Sequence, residues 1–135
     1  MWELTFPRTV VIGEGALEYL KEVEGERGLI VTDKVIHKLG FVEKVADYLK
    51  EAGLDVKVFD EVEPEPSIET VVKGAEFARQ YGPDWLIGLG GGSCMDAAKA
   101  IWVLYENPDI TVDGINPLEK LGLRKKARLI CIPTT

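Results

Sequence analysis

The stretch IGLGGGSCMDAAKAIW sets Gly88, Gly90, Gly91 and Gly92 directly ahead of a helical pattern. A strand, then bare backbone, then a helix start is the layout of a phosphate site. The first N–H groups of a helix lack intrahelical partners, and the helix dipole adds positive potential there. Glycine lets the backbone turn tightly and approach an anion with no Cβ in the way. Three consecutive glycines carry an entropic cost that a simple turn does not require. Ser93 can add a hydroxyl donor or serve as the N-cap. The plainer alternative is a tight turn capped by Ser93, with no ligand.

Two common phosphate motifs fit poorly. A P-loop needs Gly-Lys-Ser/Thr after a four-residue spacer, and Lys99 comes too late. The usual dinucleotide fingerprint, G-x-G-x-x-G, follows the first strand, with an acid about 20 residues on. Here Ser93 stands where the third glycine belongs, and Asp33, the candidate ribose acid, precedes the loop. The pattern reads as a dinucleotide-like site in a different chain order. Each residue also has a plain reading. Asp33 can merely cap a helix, and Asp96 can complement a helix dipole. Lys99 can be solvated, Cys131 core and His37 surface. Cys94 sits where a helix N-terminus can depress a thiol pKa, but a small packing side chain is the simpler role.

The elements that must position these residues alternate. TVVIG (Thr9 to Gly13) reads as a short strand and Ala16 to Val23 as a short helix with Leu17 and Leu20 inward. GLIVTD (Gly28 to Asp33) is a nearly continuous apolar run, as a strand buried on both faces should be. Val35, Leu39, Val42, Ala46 and Leu49 then recur at helical spacing until Gly53. VKVFDEV (Val56 to Val62) is the next strand. Ser67 can cap a helix carrying Ile68, Val71, Val72, Ala75 and Ala78 on one face, ended by Gly82 and Pro83. WLIGLG (Trp85 to Gly90) is strand-like and Ser93 to Tyr105 helical, with Ala97, Ala98 and Ala100 allowing close approach to a sheet. Asn107 to Lys126 reads as loop with a short helix around Pro117 to Leu121, and RLICIPTT opens as a buried strand. Strands alternating with helices predict an α/β, Rossmann-like fold, with a mostly parallel sheet and helices on both faces. Ligands of such sheets sit at the carboxyl ends of the strands. Asp33, Gly90 to Ser93, and Thr134 with Thr135 all fall there, and Pro64 to Ser67 lies just beyond another.

With 135 residues, the chain is long enough for one domain. Hydrophobic residues are 46% and charged residues 29%, ordinary for a globular fold. A net charge of -7 and a pI near 4.8 argue against nucleic acid or an anionic membrane as partners. Backbone amides can still hold a phosphate. Cys94 and Cys131 have no metal-type spacing and are expected to be reduced. Neither a signal peptide nor an apolar run of membrane length is visible. The expected location is cytoplasmic. Few amide residues beside abundant Glu and Lys lean thermophilic.

The residues also carry a family resemblance. Gly90-Gly91-Gly92-Ser93-Cys94-Met95-Asp96-Ala97-Ala98-Lys99 resembles the GGGSxxDxAK signature of iron-containing (group III) alcohol dehydrogenases, in the dehydroquinate synthase-like superfamily. FPRTVVIGEGAL, LIVTDK, EVEPEPS and ICIPTT are similar to further family segments, in family order across the chain. The resemblance implies an NAD(P)-binding domain over residues 1–135, including an N-terminal edge strand. Gly91, Gly92 and Ser93 would bind the pyrophosphate, and Asp96 would help place the nicotinamide carboxamide. Asp33 would bond the adenine ribose hydroxyls and favour NAD over NADP, whose extra phosphate it would repel. Thr134 and Thr135 would contact the cofactor from the neighbouring strand end. Glu65 departs from the pattern, since many members carry Asn between those prolines.

The family's metal, iron or another divalent ion, is held by Asp and several His residues in a helical second domain. His37 is the single histidine here, and one His is no metal site. The chain is therefore expected to lack the metal-binding domain and to be inactive alone. The complete enzyme is expected to exchange hydride between a small alcohol or aldehyde and the nicotinamide. Alternatives are a glycerol dehydrogenase-like member of the superfamily and a non-catalytic nucleotide-binding module. A lipid- or sugar-kinase-like domain fits worst, because Ser93 stands where its glycine loop carries an acid. The opening strand can pair with another chain, so a homo-oligomer is open.

Overall fold

The apolar runs assemble into one parallel sheet of four strands: β1 (Arg27–Val31), β2 (Asp55–Phe59), β3 (Trp85–Gly90) and β4 (Arg128–Pro133). The structure is a computed structural model and describes residues 16–107 and 127–134. The expected strand over Thr9 to Gly13, the helix around Pro117 to Leu121, and Thr135 lie outside those residues.

The spatial order is β2-β1-β3-β4. After the exposed Arg27, β1 is apolar, as is β3, because both their faces are covered. Leu29, Val31 and Leu86 pack in one cluster with residues of α3 (Ile68–Tyr81) and α4 (Gly92–Glu106). Ile30, Ile87 and Leu89, their alternates, pack in a second cluster with Val42, Val45 and Leu49 of α2 (Phe41–Glu51). Helices therefore cover both faces, and the expected α/β, Rossmann-like architecture holds. α4 approaches β3 closely: a Cβ on Gly88 would stand 2.9 Å from that of Ala98.

β4 is docked by α4. Trp102 Nε1 donates to the Ala127 carbonyl (3.0 Å), and the Ala127 amide donates to Glu106 Oε1 (2.7 Å). Arg128 then pairs opposite Trp85 and Cys131 opposite Gly88.

Several elements differ from the sequence reading. The single helix expected over Val35 to Leu49 is two. α1 (Lys34–Lys38) ends at Leu39, Gly40 adopts φ +88°, and α2 begins at Phe41. The break turns the first segment off the buried stripe, so Val35 and Leu39 are 66% and 64% exposed. On α3 the inward stripe is Val71, Gly74, Ala75 and Ala78, leaving Ile68 and Val72 exposed. Ala16–Glu22 is a 3-10 turn, with Leu20 buried. β1 and β2 stop at Val31 and Phe59, before Asp33 and before Asp60 to Val62. The reason lies in Thr32. Its amide donates to the Phe59 carbonyl (2.9 Å), its carbonyl accepts from Val62 (3.2 Å), and its hydroxyl donates to the Leu89 carbonyl (2.8 Å). One buried threonine thus ties the ends of three strands.

Candidate functional site

The connection from β1 to β2 runs one way along the sheet, and the return to β3 crosses to the other side of β1. The order therefore reverses between β1 and β3, and a crevice opens outside the carboxyl ends at such a switch point. Asp33 follows β1 and Gly91 follows β3, so the two main candidates flank it.

The glycine loop has three distinct glycines. Gly90 has φ +136°, a conformation side chains rarely adopt, and a Cβ there would stand 2.8 Å from Cys94 Sγ. Its bareness is required by the chain itself. Gly91 is the N-cap of α4 with an extended backbone (φ -82°), and Gly92 is the first helical residue. A Cβ on either would meet nothing within 4 Å. Neither fold nor packing among the described residues demands glycine at these two positions. The amides of Cys94 and Met95 make the first bonds to the Gly91 carbonyl (3.1 Å each), so those of Gly92 and Ser93 precede the helical ladder.

Ser93 is not the N-cap. Its hydroxyl donates to the carbonyl of Pro64, at the turn before α3. That turn is closed on itself: Glu63 Oε1 accepts from the Ser67 amide (3.2 Å), the Ser67 hydroxyl (3.1 Å) and the Thr70 hydroxyl. The Thr70 hydroxyl, with Ser67, holds the exposed Glu63 carboxyl below the usual glutamate range. The expected capping role of Ser67 holds, its oxygen accepting from the Thr70 amide at 3.1 Å.

Asp33 caps α1, with Oδ1 accepting from the Ile36 amide at 2.7 Å. Its Oδ2 lies 3.4 Å from Cys94 Sγ, which donates to it. The Cys94 thiol is buried, and burial with the Asp33 charge pushes its pKa up to about 11. Desolvation and the carboxylate thus outweigh the helix N-terminus, and no depressed thiol results. Thr134 joins the same edge, its amide donating to the Gly90 carbonyl (3.2 Å). Asp96 is exposed, one turn along α4 from Gly92. It raises the Cys131 thiol after burial, while Lys99 opposes. The structure thus brings Asp33, Gly91, Gly92, Ser93 and Thr134 to one edge.

Sequence reasoning missed the Cys94–Asp33 and Ser93–Pro64 contacts, which span 61 and 29 residues and leave no local pattern. His37 is partly exposed at the surface, as expected, but it is paired. Its Nδ1 lies 2.8 Å from Asp60 Oδ2, and Lys34 Nζ is 3.3 Å from the other oxygen. No group of three or more His, Cys, Asp or Glu among the described residues could hold a metal ion. None of the described helices is long and apolar enough to cross a membrane.

Comparison with known proteins agrees with this architecture. The family model of the iron-containing alcohol dehydrogenases matches residues 7–135, and the chain belongs to that family. The NADPH-dependent butanol dehydrogenase of Clostridium saccharobutylicum is 49% identical over 137 residues, covering 100% of this chain and 35% of its own length. The iron-containing alcohol dehydrogenase structure from Thermococcus thioreducens superposes with TM-score 0.79 at 35% identity, over 96% of this chain and 36% of its own. A sulfoacetaldehyde reductase from Bifidobacterium kashiwanohense, solved in complex with NAD+, gives TM-score 0.80 at 26% identity, over 100% and 36%. The chain spans about a third of the length of such relatives.

Proposed function

We propose that residues 1–135 form the dinucleotide-binding domain of a metal-dependent alcohol dehydrogenase, and that NAD is its preferred cofactor. The observation that carries this is the open space over Gly91 and Gly92. Two glycines that the chain's own packing does not need, at a helix N-terminus beside a switch point, fit a pyrophosphate brought against bare backbone.

The roles follow from position. The amides of Gly92 and Ser93, with the α4 dipole, hold the pyrophosphate oxygens. Ser93 holds the Pro64 turn against the loop. Asp33 accepts from the adenine ribose hydroxyls, since each of its oxygens keeps a lone pair beyond its present bond. Thr134 approaches the cofactor from the end of β4, Thr135 keeps its expected cofactor role by sequence alone, and Asp96, further along α4, serves the nicotinamide end. When bound, the nicotinamide supplies hydride exchange with an alcohol or aldehyde carbon. His37 is engaged by Asp60, and no metal-holding cluster of His, Cys, Asp or Glu occurs among the described residues.

One relative is described as NADPH-dependent and another, from Bacillus methanolicus and 38% identical, as an NAD-dependent methanol dehydrogenase. The choice therefore falls to residues of this chain. Asp33 places a negative charge where the extra phosphate of NADP would lie. Free thiols at Cys94 and Cys131 fit a reducing, cytoplasmic setting. Calorimetric titration with NADH and then NADPH in metal-free buffer tests the reading. Saturable binding with NADH tighter is expected, and binding of neither would sink it.

A further inference from the structure

We propose that Cys94 is a positioning residue for Asp33, and that its thiol sets how strongly the site favours NADH over NADPH. The proposal rests on the dinucleotide reading above. Asp33 offers two oxygens, and the cap bond from Ile36 fixes one of them. A single bond leaves the carboxylate free to swing about that contact. The second oxygen is held across the switch point by Cys94, from the first turn of α4. Two donors on elements that follow different strands thus fix the carboxylate plane. The thiol has no freedom of its own, being 1% exposed and packed where Gly90 has no Cβ.

The direction of the bond is also fixed. Burial first, and the neighbouring carboxylate second, keep the sulfur protonated well above neutral pH. A thiolate would repel Asp33, whereas S–H donates to it. Orientation and charge then act on different ligands. Accepting hydrogen bonds from a ribose diol needs a fixed carboxylate, because ordering it on binding costs affinity. Repelling a phosphate needs only the charge, whichever way the group points. Loss of the thiol should therefore weaken NADH and leave NADPH nearly untouched.

The experiment is a set of NADH and NADPH titrations on the chain and its variants. Cys94→Ala should weaken NADH by about three- to tenfold and NADPH by less than about twofold, as expected for lost preorganisation. Cys94→Ser, which keeps a donor, should recover most of the loss. With Asp33→Ala already present, adding Cys94→Ala should change nothing further. Equal weakening of both cofactors, or a Cys94→Ala effect that persists with Asp33→Ala, would mean that Cys94 only packs, and would overturn the proposal. A wild-type chain that binds neither cofactor removes the dinucleotide reading and this proposal with it. A second measurement needs no cofactor. The carbon-13 NMR shift of labelled cysteine Cβ is followed against pH with Cys131→Ser, so that Cys94 is the single thiol read. Asp33→Asn, which keeps a capping oxygen, should lower its midpoint from about 11. An unchanged midpoint would overturn the contact itself.

Discussion

At the scale of single residues, the glycine loop separates what folding needs from what the proposed binding needs. Gly90→Ala forces a side chain into φ +136° and against Cys94, so it should destabilise by about 1–3 kcal/mol in urea unfolding. Gly91→Ala and Gly92→Ala meet open space in ordinary backbone conformations. Gly92→Ala should leave stability unchanged or raise it by up to about 1 kcal/mol, since alanine restricts the unfolded chain; at the N-cap Gly91 that gain is offset by alanine's poorer capping. On the proposed function, the same two variants should weaken NADH at least about tenfold by titration, because a methyl group would stand in the proposed path of the pyrophosphate. Loss of stability with unchanged affinity would reverse the assignment. The run of glycines was legible from local order alone. Which of them the fold itself requires was not, because φ and free space depend on Cys94 and the sheet.

At the scale of elements, the strand–helix joints carry most of the order. Gly88→Ala should cost about 1–3 kcal/mol, because the facing atom is the Cβ of Ala98, which cannot swing aside. Ser67→Ala should cost about 1 kcal/mol through the lost cap. Asp60 fastens α1 to the end of β2, and its carboxyl is held low chiefly by the His37 hydrogen bond, with help from Lys34. A folded pKa below the unfolded one gives stability that is present above the unfolded value, about pH 4, and lost as pH falls through the folded value. Asp60→Asn should therefore flatten the acid limb of a stability–pH curve measured by chemical denaturation. An acid limb identical to wild type would show that the contact does not contribute. Periodicity recovered most of the buried face of α2, and the small residues Ala97 and Ala98 marked where α4 meets the sheet. It failed at Val35 and Leu39, where Gly40 changes the helix direction within one turn. It misjudged Ile68 and Val72 because hydrophobicity was read as burial.

At the scale of the molecule, chain order alone predicted the parallel sheet, since alternating short apolar runs and helices leave few other topologies. Strand order, and with it the switch point, was not readable, because pairing joins residues far apart in sequence. Thr32 illustrates the limit: it joins three strand ends through bonds to Phe59, Val62 and Leu89, yet its neighbours read as continuous strand. The same scale bounds activity. The sequence has one histidine, which Asp60 engages, and no metal cluster occurs among the described residues. The chain with added iron or zinc should leave NAD unreduced in the presence of alcohols; metal-dependent NADH production would overturn that expectation.

The docking of Ala127 has a consequence for how this fold can change over time. Both backbone polar groups of that residue are held by side chains of α4, so β4 takes its register from the helix before it. Register is then inherited with Trp102 and Glu106: a lineage that loses either side chain loses what aligns β4 so that Thr134 meets Gly90. Trp102→Phe removes the donor to Ala127 and should speed amide exchange on β4; unchanged exchange would show that the helix does not set it.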